Sequence, residues 1–147
     1  MKNHTTKITE DLAKLLADTY SLYLKTQNFH WNVTGLNFHS LHSMFEEEYI
    51  ELATAVDEIA ERIRALGAIA PASFSEFLKL TSLKEETSTP NAIEMVKKLL
   101  NDHETVIKHL QSMMPIAQEA KDEATLDLLI NRTEVHQKTA WMLRSSC

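Results

Sequence analysis

Apolar side chains recur at intervals of three and four residues through four long parts of the chain. This spacing places them on one face of a helix, so it predicts four amphipathic helices. The predicted helices span residues 8 to about 30 or 31, 37 or 40 to 67, 89–90 to a kink or end at 115, and 122 to the last few residues.

Residue types at the helix ends support these bounds. Gly67 is the residue expected just beyond the end of a helix. Pro90 suits a first helical position because it has no N–H to leave unpaired, and the Asp122 carboxylate can cap the fourth helix. Pro115 removes one hydrogen bond from the third helix, so we expect it to kink or end that helix.

The connection between the second and third helices is long and mostly irregular. It covers residues 68–89, with a short helix predicted at 73–78. A crossover of this length links the two halves of an antiparallel bundle. The sequence therefore predicts an all-α, antiparallel four-helix bundle with a short helix in its long connection.

Composition and charge restrict the class of protein. At 147 residues the chain is expected to be a single domain, 1–147, long enough for a real core. Its 44% hydrophobic residues, two glycines and three prolines suit a globular protein made of a few long helices. The net charge of −6 argues against a surface that attracts nucleic acid throughout, and suits the attraction of cations.

The sequence leads us to expect neither export nor membrane insertion. Its only cysteine is Cys147, so no intrachain disulfide can form, which is consistent with a reducing compartment. No apolar run approaches the roughly 20 residues of a membrane span, and the N-terminus lacks the apolar centre of a signal peptide. We expect a cytoplasmic protein without membrane contact.

Five potential metal ligands lie between residues 30 and 61. His42 with Glu46, and Asp57 with Glu61, are each spaced four residues apart, which puts both members of a pair on one helix face. His30 precedes the turn and comes from the first helix. Such pairs are usually part of a solvated face, because charged side chains are mostly exposed. Two pairs in mirror order beside His30 favour metal binding instead.

The spacing of the two pairs points to a site shared between subunits. His42 and Asp57 are fifteen residues apart, or about 22 Å along one helix, too far for a single ion. The pairs are symmetric about a point between Glu51 and Leu52, so two antiparallel copies would bring the first pair of one chain opposite the second pair of the other. A two-fold axis would then create two identical sites.

The ligand types favour iron. Imidazoles and carboxylates together suit Fe(II), and zinc would compete for the same donors. A bundle that built a di-iron site inside one subunit would use Glu-x-x-His pairs. None of the seven histidines has a glutamate three residues before it. This supports the interface site over the site of a classical ferritin.

The same residues carry a family resemblance. His-Trp-Asn-Val-Thr-Gly at 30–35, Leu-His at 41–42 with Glu46, and Asp-Glu-Ile-Ala-Glu-Arg at 57–62 followed by Leu-Gly at 66–67 resemble both signatures of the Dps proteins, the ferritin-like mini-ferritins. The resemblance implies a four-helix subunit, a hollow dodecamer, and a two-fold interface site. That site would oxidise Fe(II), preferably with hydrogen peroxide, and the cage would store the ferric product.

The resemblance also implies a role for each ligand. His30 and His42 would come from one subunit, and Asp57, Glu61 and Glu46 from its symmetry mate. In the family, acidic residues early in the last helix surround three-fold channels that admit iron. Asp122 and Asp127 can line such a pore here, or they can simply cap the helix and face solvent.

Two other functions remain open on sequence alone. Some Dps proteins bind DNA through lysine-rich tails that neutralise phosphates. Lys2 and Lys7 are followed here by Glu10 and Asp11, so we expect direct DNA binding to be weak or absent. The third possibility is a structural bundle that holds zinc or no metal. Redox activity separates it from the ferroxidase, because zinc has no redox chemistry with peroxide.

Overall fold

The computed structural model describes residues 3–147, which form five helices and no strand. Four helices are long and one is short, which confirms the predicted all-α, four-helix bundle with a short helix in the long connection. The elements are α1 His4–Asn32, α2 Phe38–Ala65, α3 Phe74–Leu80, α4 Ala92–Glu119 and α5 Glu123–Arg144.

The bundle consists of two helical hairpins, α1 with α2 and α4 with α5, joined mainly through α1 and α4. Apolar side chains from all four long helices form one continuous core. Phe29 of α1 and Phe45 of α2 are both fully buried there, with ring centroids 6.4 Å apart. None of the helices in residues 3–147 has the length and apolarity required to cross a bilayer.

A buried carboxylate attaches the long connection to α1. Asp18 accepts hydrogen bonds from the Thr81 hydroxyl at 2.7 Å and from the Ser82 backbone N–H at 2.8 Å. His109 of α4 approaches the same carboxylate with Nδ1 at 3.0 Å. This single residue therefore joins α1, the end of α3 and α4, and it fixes the position of α3 against the bundle.

The predicted end of α2 is confirmed. Gly67 has a φ of +94°, which glycine adopts without the steric cost that other residues incur. Its N–H donates to the Arg64 carbonyl and the Ala68 N–H donates to the Ile63 carbonyl, the two bonds of a Schellman motif. The predicted cap of the last helix is also confirmed, since Asp122 accepts from the Thr125 N–H.

Two predicted helix starts are wrong, and of the two alternatives predicted at Pro115 the structure excludes one, the end of the helix. α1 begins at His4, earlier than its apolar pattern, because Asn3 accepts from the Thr6 N–H. α4 begins after Pro90, because Asn91 is the N-cap and accepts from the Glu94 N–H at 2.9 Å. Pro115 does not end α4, which continues to Glu119. Met113 and Ala117, on either side of Pro115, are both buried, so core packing holds the helix through the missing hydrogen bond.

Candidate metal site

Two histidines meet where α1 ends and α2 begins. His30 is buried, His42 is half-buried, and their rings stack with centroids 3.9 Å apart and planes inclined by 15°. The Nδ1 atom of His30 lies 2.7 Å from the carbonyl oxygen of His42. The Nδ1 atom of His42 lies 2.7 Å from the carbonyl oxygen of His30. The pair is thus held by two reciprocal hydrogen bonds to the backbone.

These bonds determine which ring nitrogen is free. A carbonyl oxygen can only accept, so Nδ1 of each histidine must carry the hydrogen and donate it. In the neutral rings, Nε2 of His30 and of His42 then keeps a lone pair. Metal-binding histidines are usually oriented by a hydrogen bond from the ring nitrogen that does not hold the metal. Both imidazoles are therefore prepared as metal ligands.

Glu46 belongs with these histidines in the same chain. Its Oε1 lies 3.7 Å from Nε2 of His30, and its side chain is 51% exposed. It is one turn beyond His42 on the same face of α2, which explains its position. The inference that Glu46 reaches the site from the symmetry mate is therefore not supported. In an interface site it would come from the subunit that supplies both histidines.

Asp57 and Glu61 lie elsewhere on α2. Both are exposed, and the fifteen residues from His42 to Asp57 correspond to about 22 Å of helix. Within residues 3–147, no three side chains of the His, Cys, Asp and Glu types converge closely enough to hold one ion. One chain therefore places His30 against His42 and beside Glu46 without completing a metal site, and it leaves the second pair elsewhere on α2. The ligand set of the interface site stays a prediction.

The outward face of α2 has a symmetric arrangement. Glu46, Ile50, Ala53, Asp57 and Glu61 follow one another at intervals of three or four residues, and all are exposed. We call these five residues the α2 stripe. Ile50 is 55% exposed although it is a large apolar residue. Suppose that two α2 helices run antiparallel and cross at the point between residues 51 and 52. Ile50 of one helix would then lie opposite Ala53 of the other, and Glu46 would lie opposite Asp57.

The two predicted pore residues differ in their environments. Asp122 caps α5 and pairs with Arg62 at 3.0 Å. Burial raises the pKa of Asp122, but hydrogen bonds from Thr125 and the charge of Arg62 outweigh it, so this pKa lies below its usual value. Asp127 is exposed and accepts a hydrogen bond from Asn131 at 3.3 Å. A pore role stays a prediction for both residues. Asp122 also has a structural role, because it caps α5 and pairs with Arg62.

Sequence reasoning missed a buried polar chain at the centre of the bundle. Arg132 of α5 donates to Glu51 of α2 and to Nε2 of His136 at 2.9 Å. Nδ1 of His136 is 2.8 Å from Nδ1 of His103 in α4. Because arginine only donates, Nε2 of His136 must accept, so His136 donates its Nδ1 hydrogen to His103. Burial, then the Arg132 charge, lowers the pKa of His103 to about 3.

Glu48 was also missed, although the sequence contained a signal for it. The buried positions of α2 include Leu41, Phe45, Leu52 and Ala55, and Glu48 occupies the core position between Phe45 and Leu52. Neither of its carboxylate oxygens has a hydrogen-bond partner among the described residues. Burial, followed by the charge of Glu47, raises the pKa of Glu48 to about 8. The carboxyl group is therefore mainly protonated at neutral pH.

Comparisons with known proteins agree on one family. The model of the Ferritin family, a ferritin-like domain, matches residues 9–147. The chain is 42% identical over 139 residues to DNA protection during starvation protein 2 of Bacillus anthracis, with 95% of each chain covered. It is 39% identical over 134 residues to the DNA protection during starvation protein of Brevibacillus brevis, covering 91% of this chain and 90% of that relative.

Solved structures give the same result. The Dps protein from Bacillus brevis superposes with a TM-score of 0.95 at 37% identity, covering 99% of this chain and 98% of that one. The Dps protein from Vibrio cholerae O1 superposes with a TM-score of 0.93 at 32% identity, covering 97% and 89%. The latter is described as a member of a broad superfamily of ferritin-like diiron-carboxylate proteins.

Proposed function

Because the chain belongs to the ferritin-like family and, within it, to the Dps proteins, we propose that it is a mini-ferritin that oxidises Fe(II) at sites shared between two subunits. Hydrogen peroxide is the preferred oxidant. The ferric product is stored inside a hollow dodecamer in the cytoplasm, where removal of iron and peroxide protects the cell, including its DNA.

One observation carries this proposal: the two ends of the exposed α2 stripe have complementary ligands. The first end adjoins His30 and His42, whose Nε2 lone pairs are free, and includes Glu46. The second end has Asp57 and Glu61. An antiparallel pair of α2 helices would bring unlike ends together twice. The exposed Ile50 of each chain would meet the small Ala53 of the other.

The donor set suits two Fe(II) ions as substrate. The imidazoles of His30 and His42 are neutral donors, while Glu46, Asp57 and Glu61 offset the positive charge that grows when the ions are oxidised. Each of two Fe(II) ions gives one electron to a peroxide, its O–O bond breaks, and two protons are taken up to form two waters. Paired ions thus reduce the peroxide completely. Zinc can occupy the same donors and would inhibit, since it supplies no electron.

The test joins oligomer size to iron content. Fe(II) is added without oxygen, peroxide follows, and the product is sized while protein mass and iron are recorded together. We expect iron to elute with a particle of about twelve subunits, the number that the Dps family implies for a closed, symmetric cage. The double variant Asp57→Ala/Glu61→Ala should keep the particle and lose rapid oxidation. Glu58→Ala is the matched control, because Glu58 is an exposed acid on the same helix outside the stripe.

Other outcomes have defined meanings. An iron-free monomer or dimer from the wild-type chain would contradict the cage and leave a metal-binding or structural bundle. Binding of zinc without any oxidation of Fe(II) would support the structural bundle. Equal oxidation rates in the double variant and in Glu58→Ala would place the reaction away from Asp57 and Glu61.

A further inference from the structure

The two helical hairpins meet along two seams that differ in their packing. The seam between α1 and α4 carries most of the contacts between the hairpins, while α2 and α5 meet at few points. Two arginine–carboxylate pairs cross the α2–α5 seam. Arg62 of α2 pairs with Asp122 at 3.0 Å near the start of α5, and Arg132 in the middle of α5 donates to both carboxylate oxygens of Glu51. The α2–α5 seam is therefore closed mainly by charge pairs.

Arg132 is also the first member of the buried chain that ends at His103. Its Nη2 donates both to Glu51 at 3.1 Å and to Nε2 of His136 at 2.9 Å. His136 carries its hydrogen on Nδ1 and donates it to Nδ1 of His103, so His103 carries its hydrogen on Nε2. Every ring nitrogen with a lone pair in this buried chain thus already faces a donor. A further proton on either ring would set two N–H groups against each other across 2.8 or 2.9 Å.

Proton uptake by these histidines and the closed arrangement exclude each other. An imidazolium beside the Arg132 guanidinium would be buried without water, and the nearby Glu51 carboxylate is already paired. Burial and neighbouring positive charge accordingly hold the pKa of both His103 and His136 below the usual value in the closed bundle. Water must reach the rings before they bind protons. Of the two seams, the one between α2 and α5 has fewer contacts and opens at the lower cost.

We propose that the α2–α5 seam is an acid-sensitive clasp, in which protonation of His103 and His136 releases Arg132 from Glu51 and separates the middle of α5 from α2. The α1–α4 seam is the hinge of this movement. The opening is greatest in the middle and C-terminal part of α5, because the pair made by Arg62 holds its start. Since α2 carries the stripe, acid would weaken the support of the surface through which we expect subunits to pair. The clasp itself does not depend on the ferroxidase function.

Charged groups on the neighbouring helices set the net number of protons that the opening takes up. Glu48, on the buried face of α2, becomes hydrated when the seam opens and releases its proton above pH 4.5, which offsets one of the two protons gained. Asp102 is paired with Lys25 of α1 at 2.8 Å in the hinge seam and stays buried there. His109, also in the hinge seam, donates to Asp18 at 3.0 Å, a bond that a protonated imidazole keeps. Opening therefore takes up about one proton between pH 4.5 and 6.5.

The test measures hydrogen exchange of backbone amides in the full-length protein at pH 7, 6 and 5, with and without low urea. Protection factors in residues 129–143 of α5, corrected for the intrinsic exchange rate at each pH, should fall by about tenfold between pH 6 and 5. These amides should respond little to urea, because opening one seam exposes little surface. Amides in residues 12–22 of α1 should stay more protected and respond steeply to urea, since they exchange only when the whole chain unfolds.

Matched variants identify the histidines that act. His103→Gln/His136→Gln keeps groups that donate and accept hydrogen bonds but binds no proton, so the protection of α5 should no longer fall in acid. His109→Gln removes the histidine of the hinge seam and should keep the tenfold fall.

Three results would overturn the clasp. In the wild type, they are an α5 protection that does not change between pH 6 and 5, and an α5 urea dependence equal to that of α1, which would mean global unfolding. The third is a double variant that keeps the fall. If the double variant does not fold, the comparison of α5 with α1 in the wild type still decides.

Discussion

Replacing Glu48 by glutamine should stabilise the folded chain at neutral pH. Its side chain is buried in the core of α2 with no hydrogen-bond partner among the described residues. Its pKa is raised from 4.5 to about 8, so the folded chain holds a proton that the unfolded chain loses above pH 4.5. For a raised pKa, stability is complete below 4.5 and is lost as the pH rises toward 8.

The size of the effect follows from this interval. Each pH unit between the two pKa values costs about 1.4 kcal/mol, so at pH 7 the carboxyl group lowers the free energy of unfolding by about 3 kcal/mol. Glu48→Gln has nearly the same shape and no proton to bind, and it removes this cost. For a chain of this length, the melting temperature at pH 7 should rise by roughly 6–12 °C. Below about pH 4.5 the difference should disappear.

The assay is a series of thermal melts from pH 4 to pH 8 on wild type, Glu48→Gln and the control Glu58→Gln. Glu58 is exposed on the same helix, so neutralising it should change little at any pH. A Glu48→Gln variant that melts at or below the wild-type temperature at pH 7 would refute the reasoning. It would mean that the carboxylate is charged in the fold and has a partner.

Four further predictions concern other parts of the molecule. Because burial lowers the pKa of His103 and of His136, protonation of each histidine should favour unfolding below pH 6.5 by about 1.4 kcal/mol per pH unit. Protonation of Glu48 offsets one of these two contributions, so the net loss in the wild type, measured by urea titration, should be about 1.4 kcal/mol per pH unit. A stability that is flat from pH 6.5 to 5 would contradict this. Phe45→Ala should lower the free energy of unfolding by about 3–5 kcal/mol, because the ring is fully buried against Phe29, and a loss below 1 kcal/mol would be too small for that packing. Ile50→Lys should split the oligomer on a sizing column, whereas Glu47→Lys should not, since Ile50 is at the centre of the α2 stripe. In a gel-retardation assay, DNA should form no complex that survives physiological salt, and a tight complex there would contradict our interpretation of the termini.

The fold was predictable because its signals are local. The apolar spacing of the long helices, Gly67 beyond α2 and the Asp122 cap each act within a few residues of the chain. The errors arose where local signals compete. Asn91 caps α4, so the helix begins after Pro90 instead of at it. Core contacts on both sides of Pro115 compensate for its missing N–H and keep α4 helical to Glu119.

Part of the candidate site was equally accessible to sequence reasoning. The spacing of His42 with Glu46 and of Asp57 with Glu61 follows from helical geometry, and so does their separation along α2. The subunit that supplies Glu46 could not be predicted from the sequence, because it depends on the position of His30, which belongs to another helix. The structure puts these two side chains 3.7 Å apart in one chain.

The sequence by itself determined the helices, their amphipathic faces, the long connection and the candidate ligands, because each follows from spacing along one chain segment. Only the tertiary structure decided what lies across from each face. It brought the backbone carbonyls of His30 and His42 to each other's rings, which leaves both Nε2 atoms free. It also enclosed Glu48 without a partner and set Arg132 between Glu51 and His136. Hydrogen-bond roles, pKa values and ring contacts depend on groups distant in the chain, which no local pattern encodes.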